Sequence, residues 1–193
     1  MKFSKFSSTT HKWLGLVLGI QVLLWFASGI VMTWFDIELI RSEHNISNIE
    51  PPAITFEENI VSLKSVIQNA GQGEVKNITL KYLGEDLVYQ ISKQEGLTLL
   101  VDARTGEKVS PISAEMAFKL AKLDFAGEAF PNEAQLLSET GIEYRGVLPV
   151  WFVAMNDVDN TNLYINPNTG RVMARRSDIW RLYDFFWMLH IMD

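Results

Sequence analysis

Val101-Asp102-Ala103-Arg104-Thr105-Gly106-Glu107-Lys108-Val109 reads as strand, tight turn, strand, and the pattern returns as Ile165-Asn166-Pro167-Asn168-Thr169-Gly170-Arg171-Val172. In each copy a short side chain, Asp102 or Asn166, is placed to accept backbone N–H groups across the turn. A glycine, Gly106 or Gly170, is free to take left-handed backbone, and Pro167 presets φ for a type I turn. A Thr-Gly pair alone is weak evidence. The match gains weight because each hairpin follows a helix signal at a similar distance. Thr55-Phe56-Glu57-Glu58 has capping-box spacing and opens a helix with Ile60, Leu63, Val66 and Ile67 on one face, while Ser113 opens another carrying Met116, Leu120 and Leu123.

Between helix and hairpin lie β-rich runs. Val75 to Tyr82, Leu87 to Ser92 and Leu97 to Asp102 make the first set of expected strands; Glu143 to Arg145, Val150 to Met155 and Leu163 to Asn166 make the second. The expected fold class is α+β, with helices segregated over antiparallel strands in two helix-plus-strand units, 53–110 and 111–176, that can share one core. Pro51-Pro52 closes a linker, 36–52.

Upstream of the linker, Trp13 to Phe35 reads WLGLVLGIQVLLWFASGIVMTWF, with no charged side chain. Its roughly 23 residues, at about 1.5 Å each, exceed the roughly 30 Å of a bilayer's hydrocarbon core. A secretory signal has a shorter apolar region and a small-residue cleavage site, whereas Trp34, Phe35 and Asp36 follow this run, so an uncleaved anchor is expected over 13–35. Lys2, Lys5 and Lys12 precede it, and Asp36, Glu38 and Glu43 follow. The positive-inside rule therefore puts a short tail, 1–12, in the cytoplasm and the rest outside. Trp13 and Trp34 sit at the two ends as interfacial aromatics do.

Composition narrows the function. The chain has 193 residues, a formal charge of -6 and no cysteine. An acidic balance argues against a phosphate-binding surface, so nucleic acid is not an expected partner. The absence of cysteine removes disulfides, thiolate catalysis and iron–sulfur ligation. The sequence has no G-x-S-x-G, H-E-x-x-H, P-loop or G-x-G-x-x-G, and Asp157-Val-Asp159-Asn160 lacks the glycine and distal glutamate of a calcium loop. Glu57-Glu58 and Glu85-Asp86 fit helix-dipole and solvation roles. No metal site and no catalytic residue is assigned, and the chain is not expected to be an enzyme on its own. Arg171, Arg175, Arg176 and Arg181 form the one basic cluster, suited to lipid phosphates or an acidic partner.

Of three histidines, His44 lies in a polar stretch and receives no role. His11 stands at the mouth of the apolar helix, and Gly15, Gly19, Val22, Phe26 and Gly29 follow it on one face. That face is flat enough for a porphyrin, but Gly15-x-x-x-Gly19 is equally a helix-packing stripe. His190 lies in 177–193, an interfacial segment or the start of a second membrane helix, where Tyr183, Trp187 and His190 share one face.

Together these features resemble a tandem PepSY domain, and the flanks resemble the PepSY-associated transmembrane family. The residues that carry the resemblance are His11-Lys-Trp-Leu-Gly15, Ser28-Gly29, Leu148-Pro-Val-Trp151, the Tyr164 to Val172 hairpin, and Arg181 through Leu189-His190-Ile-Met-Asp193. The resemblance implies a bacterial inner-membrane protein whose main domain is periplasmic or extracellular. In similar proteins, membrane histidines hold b-type haem that passes electrons to ferric iron or siderophores outside. It thus implies an accessory subunit of a haem-dependent electron-transfer system serving iron reduction, with His11 and His190 as candidate ligands to two separate haems. The sequence holds no second full apolar span. Any haem b site is therefore expected to need further membrane helices or a protein partner in the membrane or periplasm. PepSY domains also resemble propeptide regions that restrain peptidases, so an envelope protein-binding module that inhibits or regulates a peptidase without cofactor is the alternative.

Overall fold

The computed structural model describes residues 2–48, 50–55 and 59–192, the side chains of residues 2–5 excepted. The protein is an α+β chain that divides into two compact units: 1–43 with 178–193, and 44–177.

The first unit is helical. Helix α1 runs Lys2–Trp34, beginning well before the apolar stretch, and α2 (Ile37–Ile40) follows an extended Asp36. Helix α5 (Asp178–Ile191) packs against α1 and α2. Over Phe6–Trp34 the mean hydropathy reaches 2.2, and only 6% of that window is buried, so α1 is long and apolar enough to cross a membrane and is not the buried core of this unit. Trp13 and Trp34 are both exposed. Lys2 and Lys5, which help to set the expected orientation, lie outside the residues whose side chains are described.

The second unit holds two antiparallel sheets. Strands β1 (Val75–Leu83), β2 (Asp86–Lys93) and β3 (Thr98–Asp102) form the first in sequence order. Strands β4 (Pro131–Leu137), β5 (Val150–Met155), β6 (Asn162–Ile165) and β7 (Val172–Arg176) form the second, also in sequence order. Both faces of the first sheet are covered, which is why Leu87-Val88-Tyr89 and Leu99-Leu100-Val101 are continuous apolar runs rather than alternating ones. Leu87, Tyr89, Ile91, Leu99 and Val101 pack with Val66 of α3 (Leu63–Asn69). Val88 and Leu100 point the other way, into a cluster with Ala117, Leu120 and Ala121 of α4 (Ala114–Asp124) and with Val153, Met155, Leu163 and Ile165 of the second sheet. One core therefore serves both sheets. The far face of the second sheet is covered by its own β4–β5 connection, with the Tyr144 ring stacked 4.8 Å from Tyr164.

Three local expectations are corrected. The first helix of this unit does not open at Thr55: residues 59–62 are not helical, and Ser62 is the N-cap, its hydroxyl accepting from Ser65 N. Phe56, Glu57 and Glu58 lie outside the described residues. Tertiary pairing competes with the helix there, because Val61 N donates to Ala103 O and Tyr89 OH donates to Val61 O. Secondly, the strand expected at Glu143 to Arg145 is irregular chain, and the first strand of the second sheet is β4, some ten residues earlier. Thirdly, the return strand after Gly170 is a full β7, whereas after Gly106 only Lys108 bridges to Val101. Ser113 caps α4 as its sequence suggests, accepting from Met116 N.

Candidate functional site

The two Thr-Gly turns have the same bonding pattern. Asp102 Oδ1 accepts from Arg104 N and Thr105 N, and Asn166 Oδ1 accepts from Asn168 N and Thr169 N. Gly106 N donates to Asp102 O and Gly170 N to Asn166 O, with φ of 76° and 66° respectively. Thr105 and Thr169 hydroxyls then accept from the second residue onward, Glu107 N and Arg171 N. These residues build turns and carry no reactive group into a cavity by themselves.

In the helical unit, His190 is held by two residues of α1, Trp25 and Ser28. Its ring stacks on Trp25 with centroids 4.9 Å apart and planes 20° from parallel. Its Nδ1 lies 3.1 Å from Ser28 Oγ and 3.2 Å from the Trp25 carbonyl oxygen, and the Ser28 hydroxyl itself donates to that carbonyl at 2.9 Å. A carbonyl only accepts, so of the two neutral tautomers it is the one with its proton on Nδ1 that can donate to Trp25 O, and that tautomer leaves the Nε2 lone pair open. Among the described residues nothing hydrogen-bonds to Nε2. Gly29 permits the approach: a Cβ there would sit 3.4 Å from His190 Cε1, tighter than most such contacts. Lower on the same face, Gln21 Nε2 donates to Met192 Sδ.

His11 is not part of this cluster. It is exposed near Phe6, Ser7, Thr10 and Leu14, and its position fourteen residues before Trp25 on a continuous helix places it about 21 Å away along the axis. A single iron bound by both imidazoles is thus excluded within this unit. Cβ atoms at Gly15 and Gly19 would meet nothing within 4 Å, so that stripe is open, and His44 is exposed in a 3-10 turn, Glu43–Asn45. Trp187 lies at 40% exposure on α5, and it is Trp25, not Tyr183 or Trp187, that stacks on His190. Sequence spacing within one helix could not reveal a partner on another. The donor set fits a haem to the extent that His190 would offer its iron one oriented imidazole nitrogen, Nε2. It does not supply a second.

A second concavity lies in the sheet unit, a cleft of about 560 Å³ where the β1–β2 turn, the β6–β7 turn and α4 meet. Leu120, Leu123 and Val172 give it an apolar floor, and Glu50, Glu85, Asp124 and Arg171 stand around it. Asp124 is paired with Arg175, the Nε–Oδ2 distance being 2.9 Å, and Glu85 with Lys119 at 3.3 Å. Beside Arg171, Lys81 reaches to 3.4 Å from Thr169 O. Burial, and then the neighbouring Arg171 charge, hold the Lys81 ammonium below the usual lysine range. Elsewhere in the unit, burial pushes the Tyr144 phenol up. No group of three or more histidine, aspartate or glutamate side chains suited to a metal occurs among the described residues.

Comparison with family models, with curated proteins and with solved structures finds no match to this chain.

Proposed function

We propose that the chain is a PepSY-type accessory subunit of a haem-dependent transmembrane electron-transfer system serving iron reduction. In this reading α1 is a retained anchor in a bacterial inner membrane. Its N-terminus is cytoplasmic, and the sheet unit, with its two turn-matched halves read as PepSY-like repeats, lies outside. The length and exposed apolar surface of α1 support the anchor. The matched turn bonding supports the repeat.

The observation that carries the haem reading is the placement of His190 Nδ1 against Trp25 O and Ser28 Oγ. Metal-ligating histidines commonly donate their second ring N–H to a carbonyl, which orients the ring and raises the basicity of the free nitrogen. Trp25 O and Ser28 Oγ stand where that acceptor is needed, and the Trp25 ring fixes the imidazole plane. A bound haem would supply one-electron transfer; the chain's own part is to hold the Nδ1 proton, aim Nε2 and keep water from the ring. Any further ligand to that iron would come from another helix or a partner, and His11 would serve a separate haem.

The test is an optical spectrum of the protein recovered from native membranes together with its membrane partners. A b-type Soret band is expected, reduced in part by His190→Ala and by His11→Ala, with Ser28→Ala shifting the potential of the His190-dependent component. A colourless complex under plentiful haem, or a band indifferent to both histidine substitutions, would favour a cofactor-free module that binds an envelope peptidase.

A further inference from the structure

The sheet unit is joined to the helical unit at His44 and at Ser177, and both joins leave it at one end. Ser47 N donates to Asp124 O and Ala126 N to Asn45 O, which ties the first join to the C-terminus of α4. Arg175, two residues before the second join, is paired with that same Asp124. A chain spans at most about 3.6 Å per residue, so the step from Arg176 to Asp178 holds this end close to the first turn of α5, whose helix packs against the apolar α1.

The loops at this end carry exposed apolar side chains. Phe130 is 66% exposed, Ile142 75% and Val158 94%. The three loops adjoin: Asn156 N, opening the Val158 turn, donates to Phe130 O, and Asn162 Nδ2, closing it, donates to Glu143 Oε2 beside Ile142. Each loop is also fixed. Lys122 Nζ donates to Ala129 O at 3.0 Å and lies 4.2 Å from the Phe130 ring centroid, while Asp157 accepts from Thr161 N and the Thr161 hydroxyl across the Val158 turn. Arg176 Nε donates to Glu143 O at 2.8 Å. Single apolar residues on a surface are ordinary, but three on adjoining, ordered loops at the end where both joins leave make a face. Its arginines are engaged inside the unit, Arg175 on Asp124 and Arg176 on Glu143 O. Exposed charges of both signs, Arg145, Glu128 and Asp159, lie on the same loops, so the attraction this face offers is apolar.

We propose that this end of the sheet unit docks on the bilayer surface, with Phe130, Ile142 and Val158 entering the boundary between headgroups and acyl chains. The inference rests on α1 being a membrane anchor, as read above, and is independent of haem. Lipid is the occupant because the joins that lead to the apolar α1 leave from this face. Tethering makes the second contact intramolecular, so a few apolar side chains suffice where they would not hold a free protein on a membrane. The loops are already ordered, and docking therefore costs them little conformational freedom.

The chain has no cysteine, so single cysteines can carry the fluorophore NBD in the full chain, one copy per phosphatidylcholine nanodisc. Labels at Phe130→Cys, Ile142→Cys and Val158→Cys are tested with lipid bearing a nitroxide near the headgroup. Leu97→Cys, on the β2–β3 turn and 60% exposed, is the control. Val22→Cys on α1 is tested with a nitroxide deep in the acyl chain and reports the anchor separately. Quenching is expected at two or more of the three loop labels, at a depth of about 5–10 Å, with none at Leu97. High salt should leave it unchanged, since apolar insertion is not screened. Quenching at Val22 with fewer than two loop labels quenched overturns the docking and leaves the anchor standing; an unquenched Val22 overturns both. The docking is also overturned if Leu97 is quenched alike, if salt abolishes the effect, or if the loop labels shift their emission only in discs holding two copies, which would assign the face to a second copy of the chain.

Discussion

At Gly170 a methyl group has nowhere to go. The residue holds φ of 66°, and a Cβ would collide with Leu83 while standing 3.1 Å from Leu120 Cδ1. Gly106 has the same turn and φ of 76°, but its Cβ would meet only Asn69 Nδ2 at 3.3 Å and the Val61 methyls at 3.7 Å. Backbone strain is common to both, whereas core crowding belongs to Gly170. Gly106→Ala is expected to destabilise by about 1 kcal/mol and Gly170→Ala by about 2–4 kcal/mol, adding strain to overpacking. Chemical denaturation of the two variants checks the order, and equal losses would mean that the turn alone sets the cost. The turns were legible in sequence because Asp102, Asn166 and the glycines act on their own backbone. What surrounds them was not, since Leu83 reaches Gly170 from another sheet.

Elements were legible where a cap or a period acts locally. Ser113 and the apolar positions of α4 announced that helix, and its cap has a measurable worth. Ser113→Ala should cost about 1 kcal/mol, while Ser113→Asp should retain most of the stability, because a carboxylate also accepts from Met116 N and suits the helix N-terminus. A melt indifferent to Ser113→Ala would show that packing of Ala117 and Leu120 fixes the helix end without the cap. Other elements were hidden for physical reasons. Val61 is drawn out of a helix by Ala103 and Tyr89, and β4 is written in Pro131-Asn132-Glu133, residues poor in β-propensity that join a sheet through pairing with β5. Glu143 looked strand-like, yet it serves as an acceptor: its Oε2 takes bonds from Asn162 Nδ2 at 2.9 Å and Tyr164 OH at 3.1 Å. His190 was legible as a candidate by residue type; Trp25 and Ser28, which hold its Nδ1, were not, because they stand 165 and 162 residues away in sequence.

For the whole molecule, the proposed orientation makes a direct prediction. Reporter fusions after Lys12 and after Glu50 should respond on opposite sides of the membrane, the first cytoplasmic and the second external. An external-only reporter active at Lys12 would reverse the topology and with it the side on which the Arg171 cleft opens. At this scale the sequence spoke through one average property, the charge-free apolar run of α1. The sharing of α4 between two sheets left no such trace, because which face of each strand meets which helix depends on contacts distant in sequence.

That shared helix also governs how the protein can be divided. Leu83, Val88 and Leu100 come from one half of the sheet unit and Val153, Leu163 and Ile165 from the other, all closed over Ala117, Leu120 and Ala121. Ile112, at the join, donates its N–H to Pro167 O and accepts from the Trp151 indole at 3.0 Å. A gene cut near Ser110 would yield two polypeptides, each with an oily wound in place of its sibling. Neither half closes the shared core without the other.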